Sequence, residues 1–452
     1  MDARTLKRRD LAALWHPCTQ MKDYGEEGTL PMLAIRRGEG VWLEDFDGNR
    51  YLDAISSWWV NLFGHANPTI NAAIRDQLDL LEHVILAGCT HEPVVQLSER
   101  LIALTPASLR RCFFADNGSA AVEVALKMSF HYWKNRGHPD KQRFICLSNG
   151  YHGETLGALA VGDVELYRKT YAPLMMPVIT VPGPDCFERE AGETCADVAR
   201  RQFELMEIAL AEHAHETCAV IVEPLVQCAG GMRMYDAEYL RLLRAACDRH
   251  GVHLIADEIA VGFGRTGTLF ACEQGPISPD FLCLSKGLTG GYLPLAVVLT
   301  TDEVYDAFYD DYEKLNAFLH SHSYTGNPLA CRAALATLDI FDREPVLERN
   351  RELARHMGRA LAPLEDHPHV AEVRQTGMIA AVELVQEKHS RRPYPWQERR
   401  GLEIYRHGLE RGALLRPLGN VSYLMPPYVI TEDQIDLLAT AMREGIERAT
   451  RA

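Results

Sequence analysis

The stretch from Val252 to Gly291 constrains the fold of this 452-residue chain more than any other. It contains one apolar run, 252–256, that ends at Asp257, and a second, 281–284, that ends just before Lys286. Short apolar runs bounded by turn residues are typical of buried parallel strands, and ligands bind at the carboxyl ends of such strands. The sequence therefore predicts that Asp257 and Lys286 lie at one edge of a sheet, in one site.

This pair of side chains suits a cofactor that has a basic ring nitrogen and an aldehyde, and pyridoxal 5'-phosphate has both. An unprotonated Lys286 amine can form a Schiff base with the aldehyde, and a site that excludes water lowers the pKa of a lysine. Asp257 would keep the ring nitrogen protonated through a charge-assisted hydrogen bond, so that the ring becomes an electron sink. Taken singly, each residue also fits a loop acid or a solvated surface charge, but the glycine-rich turn 262–267 between them favours the functional interpretation.

A second functional stretch begins a helix. Gly118 and Ser119 follow the apolar run 112–115 and begin a segment with apolar residues at helical spacing. A helix N-terminus favours anions because of its free backbone amides and its dipole. Gly118 and Ser119 are therefore predicted to bind the cofactor phosphate, with an ordinary helix cap as the alternative.

Short apolar runs alternate with helical patterns over the first two-thirds of the chain. Strands spaced in this way, with helices between them, predict an α/β fold with a mainly parallel sheet that is covered on both faces. Seven strands are predicted, at 112–115, 144–147, 177–181, 218–222, 252–256, 281–284 and 295–299.

The pattern changes after Asn327 and Pro328, where long helical segments surround short strands. Near the other end, 33–53 alternates apolar and polar residues around a turn, as a hairpin does. These features predict a smaller α+β domain built from both termini, beside a large domain. The predicted bounds are 1–64 and 328–452 for the small domain and 65–327 for the large one.

Two segments are predicted to lie outside the sheets. Residues 2–14 are expected to form a short helix. The segment 182–197 is rich in proline, glycine and acids and is expected to be an exposed loop.

Composition excludes several classes of protein. The net charge of -15 argues against a nucleic-acid partner, and no apolar run approaches the length of a membrane span. The twelve cysteines contain no Cys-x-x-Cys pair, and several, such as Cys146, Cys218 and Cys283, lie in apolar runs as core residues. The sequence therefore predicts free thiols in a reducing cytoplasm rather than a disulfide scaffold, and no metal site.

The motifs around Asp257 and Lys286 resemble those of the class III, fold type I pyridoxal-phosphate aminotransferases. The matching stretches are LIADEIAVGFGRTG at 254–267 and DFLCLSKGLTGG at 280–291. Further stretches are similar to the members of that family that serve biotin synthesis: WHPCTQM at 15–21, SSWWVN at 56–61, GYHGETLG at 150–157, EPLVQCAGGMRMY at 223–235 and RPLGNVSYLMPPY at 416–428. The resemblance extends over nearly the whole chain.

The resemblance implies roles for residues that spacing alone does not assign. It places Tyr151 against the cofactor ring and the substrate, beside His152. Glu154 stands where the family's archetype has an aspartate. The loop 321–324, which includes His322, is implied to reach across a homodimer interface, where the Ser323 hydroxyl meets the partner's cofactor phosphate.

The resemblance also implies a substrate pocket. Trp58 and Trp59 would cover the aliphatic chain of a keto acid, Arg416 would pair with its carboxylate, and Tyr423 would lie nearby. From the sequence alone, the two tryptophans occupy an extended segment and point to opposite faces, one in the core and one at an interface. Arg265 fits either a substrate or a structural role.

The resemblance implies small-molecule substrates, with S-adenosylmethionine as amino donor and 8-amino-7-oxononanoate as acceptor. The family's WHP motif usually continues with a tyrosine of the substrate pocket, and here the residue is Cys18. A lysine donor therefore stays open for the same acceptor. An omega-amino-acid or ornithine-type transaminase stays open as well, and so does a non-catalytic protein that binds pyridoxal phosphate or a nucleotide.

Overall fold

The structure is a computed structural model that describes residues 2–24, 29–190 and 192–451. It divides into two compact units. The larger unit comprises Pro68–Arg351 and Thr376–Met378, and the smaller one comprises the chain up to Asn67, Glu352–Gln375 and the chain from Ile379 onward.

A seven-stranded sheet forms the centre of the larger unit, and it contains all seven predicted strands with small differences at their ends. Six strands are parallel, and Ala296–Thr301 alone runs antiparallel to both of its neighbours. In spatial order the strands are Leu109–Ala115, Ala296–Thr301, Phe281–Leu284, His253–Asp257, Thr217–Val222, Arg143–Leu147 and Ile179–Val181.

The central strands are apolar along almost their whole length because helices cover both faces of the sheet. All residues of Thr217–Val222, His253–Asp257 and Phe281–Leu284 are buried. The α-helices are Pro68–Leu78, Glu92–Leu104, Gly118–Asn135, Leu156–Ala160, Glu165–Arg168, Cys195–His213, Glu238–His250, Asp302–Asp306, Pro328–Arg343 and Val346–Leu361, the last of which continues into the smaller unit. A short hairpin, Val226–Gln227 with Arg233–Met234, is separate from the sheet.

The smaller unit has α+β structure. One sheet contains Ile35–Glu39, Trp42–Asp45, Arg50–Asp53 and Ala413–Leu414, and a second contains Val370–Thr376, Ile379–Glu387, Arg392–Pro393 and Val421–Leu424. The helices are Ala3–Ala13, Arg400–Glu410 and Glu432–Thr450, and Ser56–Trp59 forms a short turn with positive φ. The predicted N-terminal helix is thus confirmed, and Asp2 caps it by accepting a hydrogen bond from the Thr5 amide at 2.7 Å.

The division into units differs from the boundary expected at residue 328. The helix Pro328–Arg343 belongs to the larger unit, where it packs against the helices Pro68–Leu78 and Glu92–Leu104. An ion pair between Arg100 and Asp339, 2.6 Å, adds to that packing. A helical pattern specifies which face of a helix is apolar but not which unit covers it.

The expectation of an exposed loop at 182–197 is wrong in part. Asp185, Cys186 and Phe187 are buried, and the Arg233 guanidinium lies 4.7 Å from the Phe187 ring centre. Cys186 and Cys195 form a disulfide, so the expectation of thiols throughout is wrong for this pair. The other ten cysteines are free. Neither feature could be predicted from the sequence. The burial of Phe187 depends on its contact with Arg233, and the disulfide depends on the approach of Cys186 to Cys195 in the fold.

No helix among the described residues has the length and apolar character that crossing a membrane requires.

Candidate active site

Asp257 and Lys286 follow neighbouring parallel strands at the same edge of the seven-stranded sheet. Asp257 is the last residue of its strand and pairs in register with Cys283, three residues before Lys286. Both residues therefore emerge at the carboxyl end of the sheet, where open α/β sheets bind ligands. The Glu258 amide also donates to the Cys283 carbonyl at 3.0 Å, which extends the pairing of the two strand ends.

The Lys286 side chain lies in a site that lowers its pKa. Removal of the ammonium from water is the larger influence, and the negative charge of Asp257 opposes it. A lower pKa leaves a larger fraction of the amine unprotonated and able to attack an aldehyde. The backbone of Lys286 has φ +33°, an uncommon conformation for a residue with a Cβ.

The Asp257 carboxylate is buried and held on two sides. One oxygen accepts a hydrogen bond from the backbone amide of Ile259 at 3.1 Å, and the other lies 2.7 Å from Nδ1 of His152. The His152 side chain is itself only 1% exposed. These contacts fix the orientation of the carboxylate, as a fixed partner of a ring nitrogen requires.

Glu223 joins the same group of residues from the end of a third strand, Thr217–Val222. Its carboxylate accepts hydrogen bonds from the backbone amides of Tyr151 at 2.9 Å and Cys228 at 3.0 Å. Burial raises the pKa of Glu223 to about 7. We call Lys286, Asp257, His152 and Glu223 the lysine–acid cluster.

Tyr151 precedes His152 in the loop that the lysine–acid cluster holds. Its hydroxyl donates to Glu154 at 3.0 Å, and its ring lies 5.6 Å from that of Tyr167. Glu154 is therefore in hydrogen-bond contact with the predicted cofactor-ring residue.

Gly118 and Ser119 begin the helix Gly118–Asn135, as the sequence predicts. The Asn117 side chain caps this helix by accepting from the Ala120 amide at 3.0 Å. A Cβ at position 118 would lie 2.9 Å from Cγ2 of Ile259, so a side chain there would displace Ile259. The Ser119 hydroxyl accepts from the Thr155 amide at 3.0 Å and lies 2.7 Å from the Thr155 hydroxyl, which makes Thr155 a further phosphate-site candidate.

The larger unit therefore has the groups that pyridoxal phosphate needs. It supplies an amine with a lowered pKa, a buried carboxylate of fixed orientation, and a helix N-terminus with a serine hydroxyl. Gly118 and Ile259 connect two of these groups, because Ile259 contacts the start of the helix and donates its amide to Asp257. The residues fit the cofactor, while their individual roles stay predictions.

Four of the predicted substrate residues form two contacting pairs in the smaller unit. The Arg416 guanidinium lies 4.4 Å from the Trp58 ring centre, and Nε1 of Trp59 donates to the Tyr423 hydroxyl at 3.0 Å. Trp58 is 37% exposed, whereas Trp59 and Tyr423 are buried. We call these four residues the aromatic–arginine cluster.

The backbone at the two tryptophans corrects the expected extended conformation. Ser56, Ser57, Trp58 and Trp59 all have positive φ, at 50°, 46°, 72° and 73°. They form a left-handed turn, which nevertheless exposes one indole and buries the other. Its cause lies in hydrogen bonds to Asp53, four residues before Ser57, and to Met425 and Tyr423 far along the chain, which sequence alternation does not reveal.

The remaining candidates differ in their exposure. Arg265 is 1% exposed, and its backbone carbonyl accepts from the Met378 amide at 2.8 Å. Ser323 and Cys18 are exposed, each in a turn. His322 pairs Nε2 to Nε2 with His320 at 3.1 Å.

The sequence patterns alone assign no role to His152, Glu223 or Thr155. Glu223 had a usable signal, because like Asp257 it is an acid that directly follows a buried strand. His152 and Thr155 lie within the GYHGETLG stretch already singled out. Their contacts with Asp257 and Ser119 join residues 105 and 36 positions apart, so only the fold could show them.

The chain belongs to the class III aminotransferase family, whose model matches residues 24–446. It is a pyridoxal-phosphate-dependent aminotransferase that acts on small molecules. The predicted fold class and cofactor are thus confirmed.

Similar proteins include the adenosylmethionine-8-amino-7-oxononanoate aminotransferase of Helicobacter pylori, which is 48% identical over 445 residues that cover 97% of each chain. The crystal structure of an enzyme of the same name from Methanocaldococcus jannaschii is 40% identical, with a TM-score of 0.93 and 99% of both chains covered. An amine transaminase from an uncultivated Pseudomonas species, solved in its pyridoxal-phosphate-bound form, is 34% identical. Its TM-score is 0.90, over 97% of this chain and 99% of that one.

Proposed function

We propose that this enzyme transfers the amino group of S-adenosylmethionine to 8-amino-7-oxononanoate in biotin synthesis, giving 7,8-diaminononanoate. The observation that carries this assignment is the aromatic–arginine cluster, found in a chain that is similar over its whole length to enzymes with that name. A guanidinium beside an exposed indole suits a substrate with a carboxylate at the end of an aliphatic chain. The donor and the acceptor would react in turn with the same cofactor, so ping-pong kinetics are expected.

The lysine–acid cluster would perform the chemistry. Pyridoxal phosphate, when bound, supplies an aldehyde that accepts the amino group and a ring that withdraws electrons. Lys286 Nζ moves a proton from the alpha carbon of the donor, for which its lowered pKa prepares it. The Asp257 carboxylate, oriented by His152 and the Ile259 amide, holds the proton on the ring nitrogen.

The remaining residues would bind and orient. Gly118, Ser119 and Thr155 would hold the phosphate at the helix N-terminus. Tyr151 would cover the cofactor ring. The hydrogen bond from its amide to Glu223 fixes the position of its loop.

The direct test of the donor is a single half-reaction. The enzyme loaded with pyridoxal phosphate is mixed with S-adenosylmethionine or with lysine, without acceptor, and the change in cofactor absorption is followed. Rapid conversion by S-adenosylmethionine and slow conversion by lysine are expected. The reverse order would assign lysine as the donor.

An omega-amino-acid or amine transaminase is the second candidate, favoured by the likeness to the Pseudomonas amine transaminase. Such an enzyme would convert its cofactor with simple primary amines or omega-amino acids and would ignore 8-amino-7-oxononanoate. Offering that keto acid to the aminated cofactor form separates the two candidates.

A homodimer with shared sites is proposed for the Ser323 loop, and it rests on the family resemblance and on the exposure of Ser323. The inactive variant Lys286→Ala is mixed with Ser323→Ala at limiting cofactor, under conditions that exchange subunits. If Ser323 serves the partner's site, the mixed dimer has one intact site and activity rises. If it serves its own site, mixing restores nothing.

The cytoplasm is the proposed compartment, because ten of the twelve cysteines are free thiols and the other two, Cys186 and Cys195, form a disulfide. Fractionation of cells that express the protein tests this. Recovery in a membrane or secreted fraction would contradict it.

A further inference from the structure

The left-handed turn Ser56–Trp59 needs a physical explanation. Residues with a Cβ disfavour positive φ, and here four in succession adopt it without a glycine among them. Such conformations persist only where the surrounding structure determines them, and they are frequent at functional sites. The groups that hold this turn are therefore candidates for a functional role.

Asp53 holds the turn from one side. Its side chain is fully buried, and one oxygen accepts from the Ser57 amide at 2.9 Å. The other oxygen accepts from the Ser57 hydroxyl at 2.7 Å and lies 3.1 Å from Nε2 of His65. Ser57 is thus bound through both its backbone and its side chain to one carboxylate.

The strand Val421–Leu424 and the residue after it hold the turn from the other side. The Ser56 hydroxyl donates to the Met425 carbonyl at 2.7 Å, and the Met425 amide donates to the Ala54 carbonyl at 2.8 Å. Trp59 adds its hydrogen bond to the Tyr423 hydroxyl. Trp58 lies between these two anchors, and its conformation follows from theirs.

We propose that Asp53 is a positioning residue for the amino acceptor. By holding Ser57 in the left-handed conformation, it places the Trp58 indole under the Arg416 guanidinium, and this pair recognises the aliphatic chain and carboxylate of the keto acid. The proposal rests on the proposed function of the aromatic–arginine cluster. It adds a residue that does not itself touch the substrate.

Asp45 provides a matched control in the same sheet. It is also a buried aspartate, and it accepts from the Asn49 amide at 2.8 Å and the Tyr51 hydroxyl at 3.0 Å. None of those partners belongs to the turn Ser56–Trp59. Asp45→Asn should therefore reproduce a general loss of stability without the specific effect on the acceptor.

The experiment compares Asp53→Asn, Asp45→Asn and the wild-type holoenzyme. For Asp53→Asn, the KM for 8-amino-7-oxononanoate should rise about tenfold, as expected when hydrogen bonds to a charged group are weakened, while the half-reaction with the amino donor keeps its rate. Asp45→Asn should leave both unchanged. An unchanged KM in Asp53→Asn, or equal losses in both half-reactions, overturns the proposal.

A second substitution tests the mechanism. Glycine adopts positive φ freely, so in Ser57→Gly the turn should no longer need the hydrogen bonds to Asp53. In the Asp53→Asn background it should restore most of the KM, and failure to do so contradicts the proposal. If Asp53→Asn does not fold, Ser57→Ala, which loses only the hydroxyl contact, should raise the KM by a smaller factor, and no rise overturns the proposal.

Near-ultraviolet circular dichroism separates this proposal from the proposed function. The tryptophan bands should weaken in Asp53→Asn and return with Ser57→Gly, whatever the substrate is. A wild-type enzyme that ignores the keto acid would refute the proposed acceptor. Unchanged tryptophan bands in Asp53→Asn would instead refute the role of Asp53 in holding the turn.

Discussion

The lysine–acid cluster and the aromatic–arginine cluster are held in different ways. Asp257 and Lys286 follow the ends of adjacent strands, whose pairing in the sheet brings them together. The aromatic–arginine cluster depends on contacts between Trp59 and Tyr423, which are 364 residues apart, and on a left-handed turn. The first is a product of regular structure, whereas the second depends on an unfavourable backbone that both a nearby residue, Asp53, and distant residues hold by hydrogen bonds.

This difference suggests a division of labour. Reaction chemistry needs charges in fixed, water-poor positions, and the ends of buried strands provide them. Recognition of one particular acceptor needs an uncommon surface, and the strained turn provides it. Substitutions in the lysine–acid cluster should therefore slow both half-reactions, whereas substitutions in the aromatic–arginine cluster should affect only the half-reaction with the acceptor.

The largest effect is expected for Lys286→Ala. Removal of the proton-transferring amine should slow both half-reactions by about 10²–10⁴-fold. Single-turnover absorption measurements with each substrate test this. The tryptophan circular dichroism should be unchanged, and a loss there would mean that the two clusters are not independent.

Asp257→Asn should slow both half-reactions by about a hundredfold, because a neutral amide no longer favours the protonated ring nitrogen. Asp280→Asn is a suitable control, since Asp280 accepts from the Leu254 amide at 2.7 Å at the start of the same pair of strands. The control should lose stability and keep its half-reaction rates. Equal rates in the two variants would remove Asp257 from the chemistry.

Arg416→Ala should affect one half-reaction only. The KM for the keto acid should rise about 10- to 100-fold through loss of a charge-assisted hydrogen bond, with the donor half-reaction unchanged. Arg416→Lys should recover part of the binding, because it restores the charge without the planar fork. Equal losses with donor and acceptor would refute the assignment of Arg416.

The smallest effect concerns Glu223 and pH. Burial raises the pKa of this carboxyl to about 7 from 4.5, so the folded state binds the proton more tightly than the unfolded state. The stabilisation is complete below pH 4.5 and is lost as the pH rises through 7, with a total of about 3 kcal/mol at most. Glu223→Gln, which does not titrate, should therefore gain stability relative to wild type between about pH 5 and pH 8.

The midpoint of thermal unfolding, measured over that pH range for the cofactor-free protein, checks this prediction. Glu258→Gln should also gain stability relative to wild type as the pH rises, since burial raises the pKa of Glu258 to about 7 as well. A wild-type advantage that grows with pH would show that Glu223 is stabilised as a carboxylate by its two amide donors.

The sequence allowed prediction of the larger unit and of the lysine–acid pair, because both depend on local patterns. Seven apolar runs produced seven strands, and an acid and a lysine at strand ends indicated their shared site. The turn at Trp58 and Trp59 could not be predicted in this way. Its conformation depends on hydrogen bonds with Asp53, Met425 and Tyr423. The alternation of apolar and polar residues along the chain does not indicate those hydrogen bonds.

The most direct test of the central claim is to treat the cofactor-loaded enzyme with borohydride and to map the modified peptide by mass spectrometry. We expect the mass of the reduced cofactor on Lys286, and we expect Asp257→Asn to shift the absorption of the bound cofactor before reduction. Added mass on another lysine, or on none, would contradict the central claim.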